Sequence, residues 1–193
     1  MSSQAEKRGL DGFILSLLAL SVALNVYLGA RVLRPPVQPG EARPKPLERG
    51  AIPGPVIGRD ATGRERAVRF EPGDGRLLVY AFSSTCKWCA ANARHAASLF
   101  EQAPGRFRAV ALCLDAAGSD CSGVGVPRQA VLSPSPETRD NYRLAVVPQT
   151  VLLSAKGQVE RTWNGAYEGS TKAEIEEALE VDLTHAPAQP EAP

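Results

Sequence analysis

The chain of 193 residues balances 22 Lys and Arg against 21 Asp and Glu, a net charge of +1 with no long basic cluster, so nothing points to nucleic acid as a partner. That length suits one ordinary domain with extensions. Its four cysteines are too few for a disulfide-framework miniprotein. They are also badly spaced for a zinc site, because Cys86, Cys89, Cys113 and Cys121 contain only one close CxxC pair.

Residues 1–11 read as an N-terminal tail and residues 12–33 as a transmembrane anchor. From Gly12 to Ala30 there is no charge, and at about 1.5 Å per residue such a run crosses a bilayer core of about 30 Å. No small-x-small cleavage site follows the run, which favours an uncleaved anchor over a signal peptide. Counting only Lys and Arg, the C-terminal flank (Arg31, Arg34, Arg43, Lys45, Arg49) outweighs Lys7 and Arg8, and taken alone this puts the rest of the chain inside the cell. Residues 34–51, crowded with proline and charge, read as a semi-extended tether.

A folded domain is expected over residues 52–182. A short hairpin turns at Asp60-Ala61-Thr62-Gly63. The apolar run Leu77–Phe82 is too short for a globular helix and reads as a buried strand. Lys87 to Gln102 is one helical pattern stopped by Pro104-Gly105. Phe107 to Leu114 is a second continuous strand of parallel type. Ala130 to Leu132 adds a short strand, and Ser135 or its neighbour opens a helix through Ala145. Thr150 to Leu153 and Val159 to Trp163 form a hairpin about Lys156-Gly157. Ser170 caps a final helix, Thr171 to Val181, with Glu174 in its first turn. Residues 183–193 read as a disordered tail. The pattern β-α-β, helix, β-hairpin, helix implies a mixed α/β sheet with helices on both faces.

Chemistry concentrates at Ser83 through Cys89. Cys86 falls at the first turn of a helix and Cys89 about one turn further, so their sulfurs can face each other and close a small, reactive disulfide. The unpaired N–H groups of the helix start favour a thiolate on the exposed first cysteine, and Lys87 adds a nearby positive charge. Cys86 would then attack or be attacked, and Cys89 would resolve the mixed disulfide. An inert pair or two ligands of a metal site are the alternatives, but so small a loop removes little unfolded-state entropy, and His95 is badly spaced as a third ligand. Trp88 is expected to face outward, as a docking surface or packed partly on a loop. Asn92 and His95 read as plain helix-surface residues. Cys113 and Cys121 could form a structural disulfide, a second redox pair, or two free thiols. The structural disulfide is favoured slightly, since an exposed free thiol is a liability outside the cytoplasm.

These motifs resemble the thioredoxin superfamily, and within it the membrane-anchored TlpA/ResA-type thiol–disulfide oxidoreductases of bacterial envelopes. The matching residues are the Asp60–Gly63 turn, Phe82 through Cys89, and Val147-Pro148-Gln149-Thr150-Val151-Leu152-Leu153 with Lys156-Gly157-Gln158-Val159 after it. The resemblance covers about Ile52 to Val181. It implies a thioredoxin-like fold and a cis Pro148 beside the cysteines, with the Val147 backbone free to pair with a substrate chain. Catalysis would rest on Cys86, Cys89 and Pro148, with Trp88 and Val147 meeting substrate and Lys87 tuning the thiol. It further implies cysteine-containing protein substrates, an upstream membrane or envelope redox partner, and no cofactor or metal. The location would be the bacterial cytoplasmic membrane, with the domain facing the periplasm or cell exterior, which suits a redox cysteine pair and outweighs the charge count. Three departures leave the direction of electron flow open. Tyr80 stands where thioredoxins carry a buried aspartate, Thr85 where they carry tryptophan, and Lys87-Trp88 where they carry Gly-Pro. Other readings are a copper metallochaperone using the same two cysteines and a non-catalytic binding module.

Overall fold

The computed structural model of the chain describes residues 16–27, 45–116, 119, 121 and 124–184. They belong to two compact units, Met1–Arg43 and Pro44–Pro193. In the first unit, residues 16–27 form helix α1, within the apolar run. Its Leu17, Leu18, Leu20, Val22, Leu24 and Val26 are exposed, and the Asn25 amide donates to the Ser21 carbonyl at 2.8 Å. Among the described residues no helix is long and apolar enough to cross a membrane. The remainder of the 12–33 anchor, the 1–11 tail and residues 34–44 of the tether lie outside the described residues.

The second unit is built on a seven-stranded sheet. Its strands are β1 (Val56–Arg59), β2 (Glu65–Val68), β3 (Leu77–Phe82), β4 (Arg108–Cys113), β5 (Val131–Pro134), β6 (Gln149–Leu153) and β7 (Val159–Asn164). They lie side by side in the order β2-β1-β5-β4-β3-β6-β7. Central β3 is buried along its whole length, as its unbroken apolar run requires of a strand covered on both faces. It pairs in parallel with β4, bringing Phe82 opposite Cys113, and antiparallel with β6. Side chains alternate across a strand, so β3 feeds two cores. Leu78, Tyr80 and Phe82 join one and Leu77, Val79 and Ala81 the other. The Asp60 turn closes the β1–β2 hairpin as expected, its carboxylate accepting from the Thr62 N–H, the Thr62 hydroxyl and the Arg64 N–H.

Helices α2 (Lys87–Ala91), α3 (Ala93–Gln102) and α5 (Gly169–Leu179) fill the first core through Cys89, Ala96, Leu99, Ile175 and Leu179. Helix α4 (Pro136–Asn141) lies on the opposite side, and the Thr138 hydroxyl both accepts from the Ile57 N–H and donates to the Ile57 carbonyl, each at 2.9 Å. Ser135 caps α4 through the Thr138 N–H at 3.1 Å.

Several expected boundaries move. The single helix over 87–102 breaks at Asn92 into α2 and α3. Helix α4 ends at Asn141 rather than Ala145, because Arg143 turns left-handed at φ 51°. Helix α5 starts at Gly169, so Ser170 lies inside it and caps nothing, and Glu174 is past the first turn, accepting from the Trp163 indole at 3.1 Å. The domain also reaches beyond 52–182. Leu47 of the expected tether is buried in the second core, and Gly50 and Ala51 pair with Val159. Leu183 of the expected tail is buried in the first core, with its N–H on the Glu176 carboxylate at 2.9 Å. Apolar side chains at the edges of polar segments find the nearest uncovered core. Residues 185–193 lie outside the described residues.

Candidate active site

Strand β3 ends at Phe82 and delivers Ser83-Ser84-Thr85 to the sheet's C-terminal edge, where α2 begins. Cys86 is the residue before that helix, extended at φ −83° and ψ 114°. Its sulfur therefore takes the place of a capping side chain and accepts the Cys89 N–H at 3.2 Å. The Cys86 thiol in turn donates to the Val147 carbonyl at 3.6 Å. Both Cys86 and Cys89 are free thiols, Cys86 partly exposed and Cys89 wholly buried. Burial, aided by the Cys86 hydrogen bond, pushes the Cys89 thiol up to about 12. One sulfur is thus open to an incoming group and the other is held back as a neutral reserve.

Pro148 immediately precedes β6, at the end of that strand that pairs with Ala81 of β3, and its neighbour Val147 meets Cys86. The Val147–Pro148 peptide is cis, and Val147 is half-buried beside the cysteines. The Pro148 carbonyl accepts the Gly165 N–H at 2.8 Å, joining this loop to the end of β7. Trp88 is 48% exposed, with the Lys87 ammonium 4.8 Å from its ring centroid. Val146, also exposed, adds a second apolar side chain next to the cis peptide.

Asp115 lies two residues past β4 and acts on the same loop. Its carboxylate accepts from the Ser83 hydroxyl at 2.5 Å and the Ser84 N–H at 2.9 Å. Burial works to raise this carboxyl, but the Ser83 and Ser84 hydrogen bonds outweigh it and hold the group below its ordinary range. Nothing in the sequence singled Asp115 out. Its place just beyond β4, parallel to the strand that carries Ser83, was the available signal. Cys113 and Cys121 are bonded to each other, with Cα atoms 6.1 Å apart. Their ligand atoms and those of Asp115 lie within 4.8 Å, yet sulfurs joined to one another offer no thiolate to a metal.

Beneath the cysteines, two residues expected on the helix surface lie elsewhere. Asn92 is 1% exposed, because the break between α2 and α3 turns its side chain inward. Its oxygen accepts the Tyr167 N–H at 2.8 Å and its amide donates to the Gly165 carbonyl at 3.2 Å. His95 is partly covered and stacks on the Tyr167 ring, and burial lowers its imidazole. The Tyr167 hydroxyl pairs with Thr150 at 2.5 Å. Tyr80, packed between Phe82 and Tyr167, is fully buried, and that burial raises its phenol and keeps it neutral.

No protein-family model and no curated protein matches the sequence. Solved structures do match the architecture. A putative thiol:disulfide interchange protein DsbE from Chlorobium tepidum aligns at TM-score 0.57 and 20% identity, over 69% of this chain and 97% of that one. A thiol:disulfide interchange protein from Bacteroides sp. aligns at TM-score 0.55 and 13% identity, over 69% and 91%. A peroxiredoxin-like protein from Aquifex aeolicus aligns at TM-score 0.53 and 11% identity, over 70% and 87%. The fold is thioredoxin-like. At these identities the likeness carries architecture alone.

Proposed function

We propose that the domain is a thiol–disulfide oxidoreductase acting on cysteine-containing proteins through Cys86 and Cys89. The observation that carries this is the asymmetry of the pair: one accessible sulfur at a helix start beside a cis-proline loop, and one buried sulfur one turn behind it. In the reducing direction, the Cys86 thiolate attacks a substrate disulfide, and one substrate sulfur leaves as a thiolate. The mixed disulfide removes the negative charge from Cys86. Cys89 then gives up its proton and attacks the Cys86 sulfur, and the second substrate sulfur leaves. Two electrons pass from the protein dithiol to the substrate, and the Cys86–Cys89 disulfide remains. Oxidation of a substrate dithiol is the same sequence reversed. Trp88, Val146 and the Val147 backbone offer the apolar and hydrogen-bonding surface on which an extended substrate segment would rest. Lys87, stacked over Trp88, would add positive charge where the thiolate forms.

The proposed setting is a bacterial cytoplasmic membrane, with residues 12–33 as a single-pass anchor and the domain in the periplasm or cell exterior. The uncharged apolar run supports the anchor, and the Cys113–Cys121 disulfide suits an oxidising compartment. An upstream membrane or envelope partner would then set the redox state of Cys86 and Cys89. Protease accessibility of the domain in spheroplasts tests this orientation, and protection until lysis would contradict it.

Turnover is tested with insulin disulfides and a dithiol reductant. The wild-type protein should accelerate insulin reduction, Cys86→Ser should abolish it, and Cys89→Ser should accumulate a mixed disulfide on Cys86. Equal turnover by wild type and Cys86→Ser would sink the proposal.

A further inference from the structure

Asn92 connects the two halves of the site through a continuous line of hydrogen bonds. From the break between α2 and α3 its amide reaches the Gly165 carbonyl at 3.2 Å. The Gly165 N–H reaches the Pro148 carbonyl at 2.8 Å, and the preceding carbonyl, that of Val147, takes the Cys86 thiol at 3.6 Å. The Cys86 sulfur closes the circuit by accepting the Cys89 N–H at 3.2 Å, inside the helix that Asn92 terminates. The Asn92 oxygen is meanwhile occupied by the Tyr167 N–H at 2.8 Å. With 1% of its surface exposed, Asn92 has no solvent contact to explain a polar side chain there.

We infer that Asn92 is a positioning residue that fixes the cis-proline loop against the cysteine helix, and thereby sets the balance between the Cys86–Cys89 dithiol and its disulfide. This role presupposes that Cys86 and Cys89 cycle between dithiol and disulfide, as in the proposed oxidoreductase function. The thiol hydrogen bond from Cys86 to Val147 exists only in the dithiol, since a disulfide sulfur has no proton to donate. A clamp that holds Val147 within reach of Cys86 therefore favours the reduced form. Release of the clamp lets the loop drift and removes that preference. One weak hydrogen bond made in a single redox state corresponds to about a fivefold change in the thiol–disulfide equilibrium constant. For two electrons that is about 20 mV, toward a more negative potential.

The test is redox equilibration of the full chain against glutathione buffers, with free thiols at Cys86 and Cys89 counted by alkylation and mass spectrometry. Asn92→Leu removes both hydrogen bonds. Asn92→Asp keeps the oxygen that accepts from Tyr167 and loses the donor to Gly165, so it covers the case in which Asn92→Leu does not fold. Thr150→Val removes the Tyr167 hydroxyl partner in the same buried cluster without touching the line to Pro148. Both Asn92 variants should shift the equilibrium about fivefold toward the disulfide, whereas Thr150→Val should lower Tm and leave it within about twofold. Asn92 variants that lose Tm but equilibrate like wild type would overturn the inference, as would a shift of equal size in Thr150→Val. The readout needs no protein substrate, so failure of insulin turnover and failure of this inference are separate results.

Discussion

Removal of the Cys113–Cys121 bond is the perturbation whose size follows most directly from the chain. The two cysteines are eight apart in sequence. Cross-linking a loop of that length removes about 2.1 + 1.5R ln n cal/mol/K from the unfolded chain, or about 2.5 kcal/mol at 25 °C. Cys113 is fully buried, and its truncation to alanine adds about 1 kcal/mol for lost sulfur packing. Cys121 is partly exposed and adds little. The double variant Cys113→Ala/Cys121→Ala should therefore lose about 3.5 kcal/mol. With a urea slope of about 2 kcal/mol/M, the unfolding midpoint falls by about 1.8 M. Urea titration of wild type and variant, followed by tryptophan fluorescence, measures it. A midpoint within about 0.3 M of wild type would refute the reasoning, because the bond would then not be restricting the unfolded chain.

Other consequences concern the same end of the sheet. The buried Cys89 thiol stays protonated up to about 12, while an unfolded one ionises near 9.0. From about pH 9 upward the unfolded state thus binds fewer protons, and the stability of the reduced protein should fall with rising pH more steeply than that of Cys89→Ala. Parallel thermal melts between pH 8 and 10 read this, and matching slopes would contradict it. Asp115→Ala strips the Ser83 hydroxyl and the Ser84 N–H of their acceptor and should cost about 1–2 kcal/mol near neutral pH. Because the folded carboxyl is held below the ordinary 3.8, that stabilisation is present above the unfolded pKa and disappears as pH falls through the folded one. The penalty of Asp115→Ala in urea titrations should accordingly shrink in acid. Gly125 combines φ +75° with a position where a Cβ would stand 1.9 Å from the Ala93 carbonyl oxygen. Gly125→Ala should destabilise by about 2–3 kcal/mol in calorimetry, and a neutral result would mean that Gly125 does not lie against the Ala93 carbonyl.

How much of this was legible in the sequence depends on how local the cause was. Leu77–Phe82 declared itself as a buried strand because every residue is apolar, and the start of a helix at Ser135 or its neighbour was legible, although the cap that the Ser135 side chain makes with the Thr138 N–H was not named. Asp60 likewise makes its turn with residues two and four positions on. The break at Asn92 was hidden, since Lys87–Gln102 is locally good helix throughout and the partners that hold the break, Gly165 and Tyr167, are more than seventy residues away. Asp115 was hidden for the same reason, its partners lying 31 and 32 residues back. Leu47 and Leu183 sit in segments whose composition is that of a linker and a tail, and only the exposed edges of the two cores explain their burial. Cys86 and Cys89 were legible from their spacing at a strand-to-helix junction, whereas the cis Pro148, about sixty residues on, was identified through a family resemblance rather than from local physics. The sulfur of Cys86 as the cap of its own helix was not foreseen at all.

Reversible two-electron redox at Cys86 and Cys89 is the most direct test of the central claim. Intact-mass analysis of alkylated protein, after equilibration across a series of glutathione ratios, counts the thiols. Two thiols, mapped to Cys86 and Cys89, should appear and disappear together and reversibly along the series. A protein in which these two thiols stay free at every ratio, or in which Cys86 alone reacts, would contradict the account.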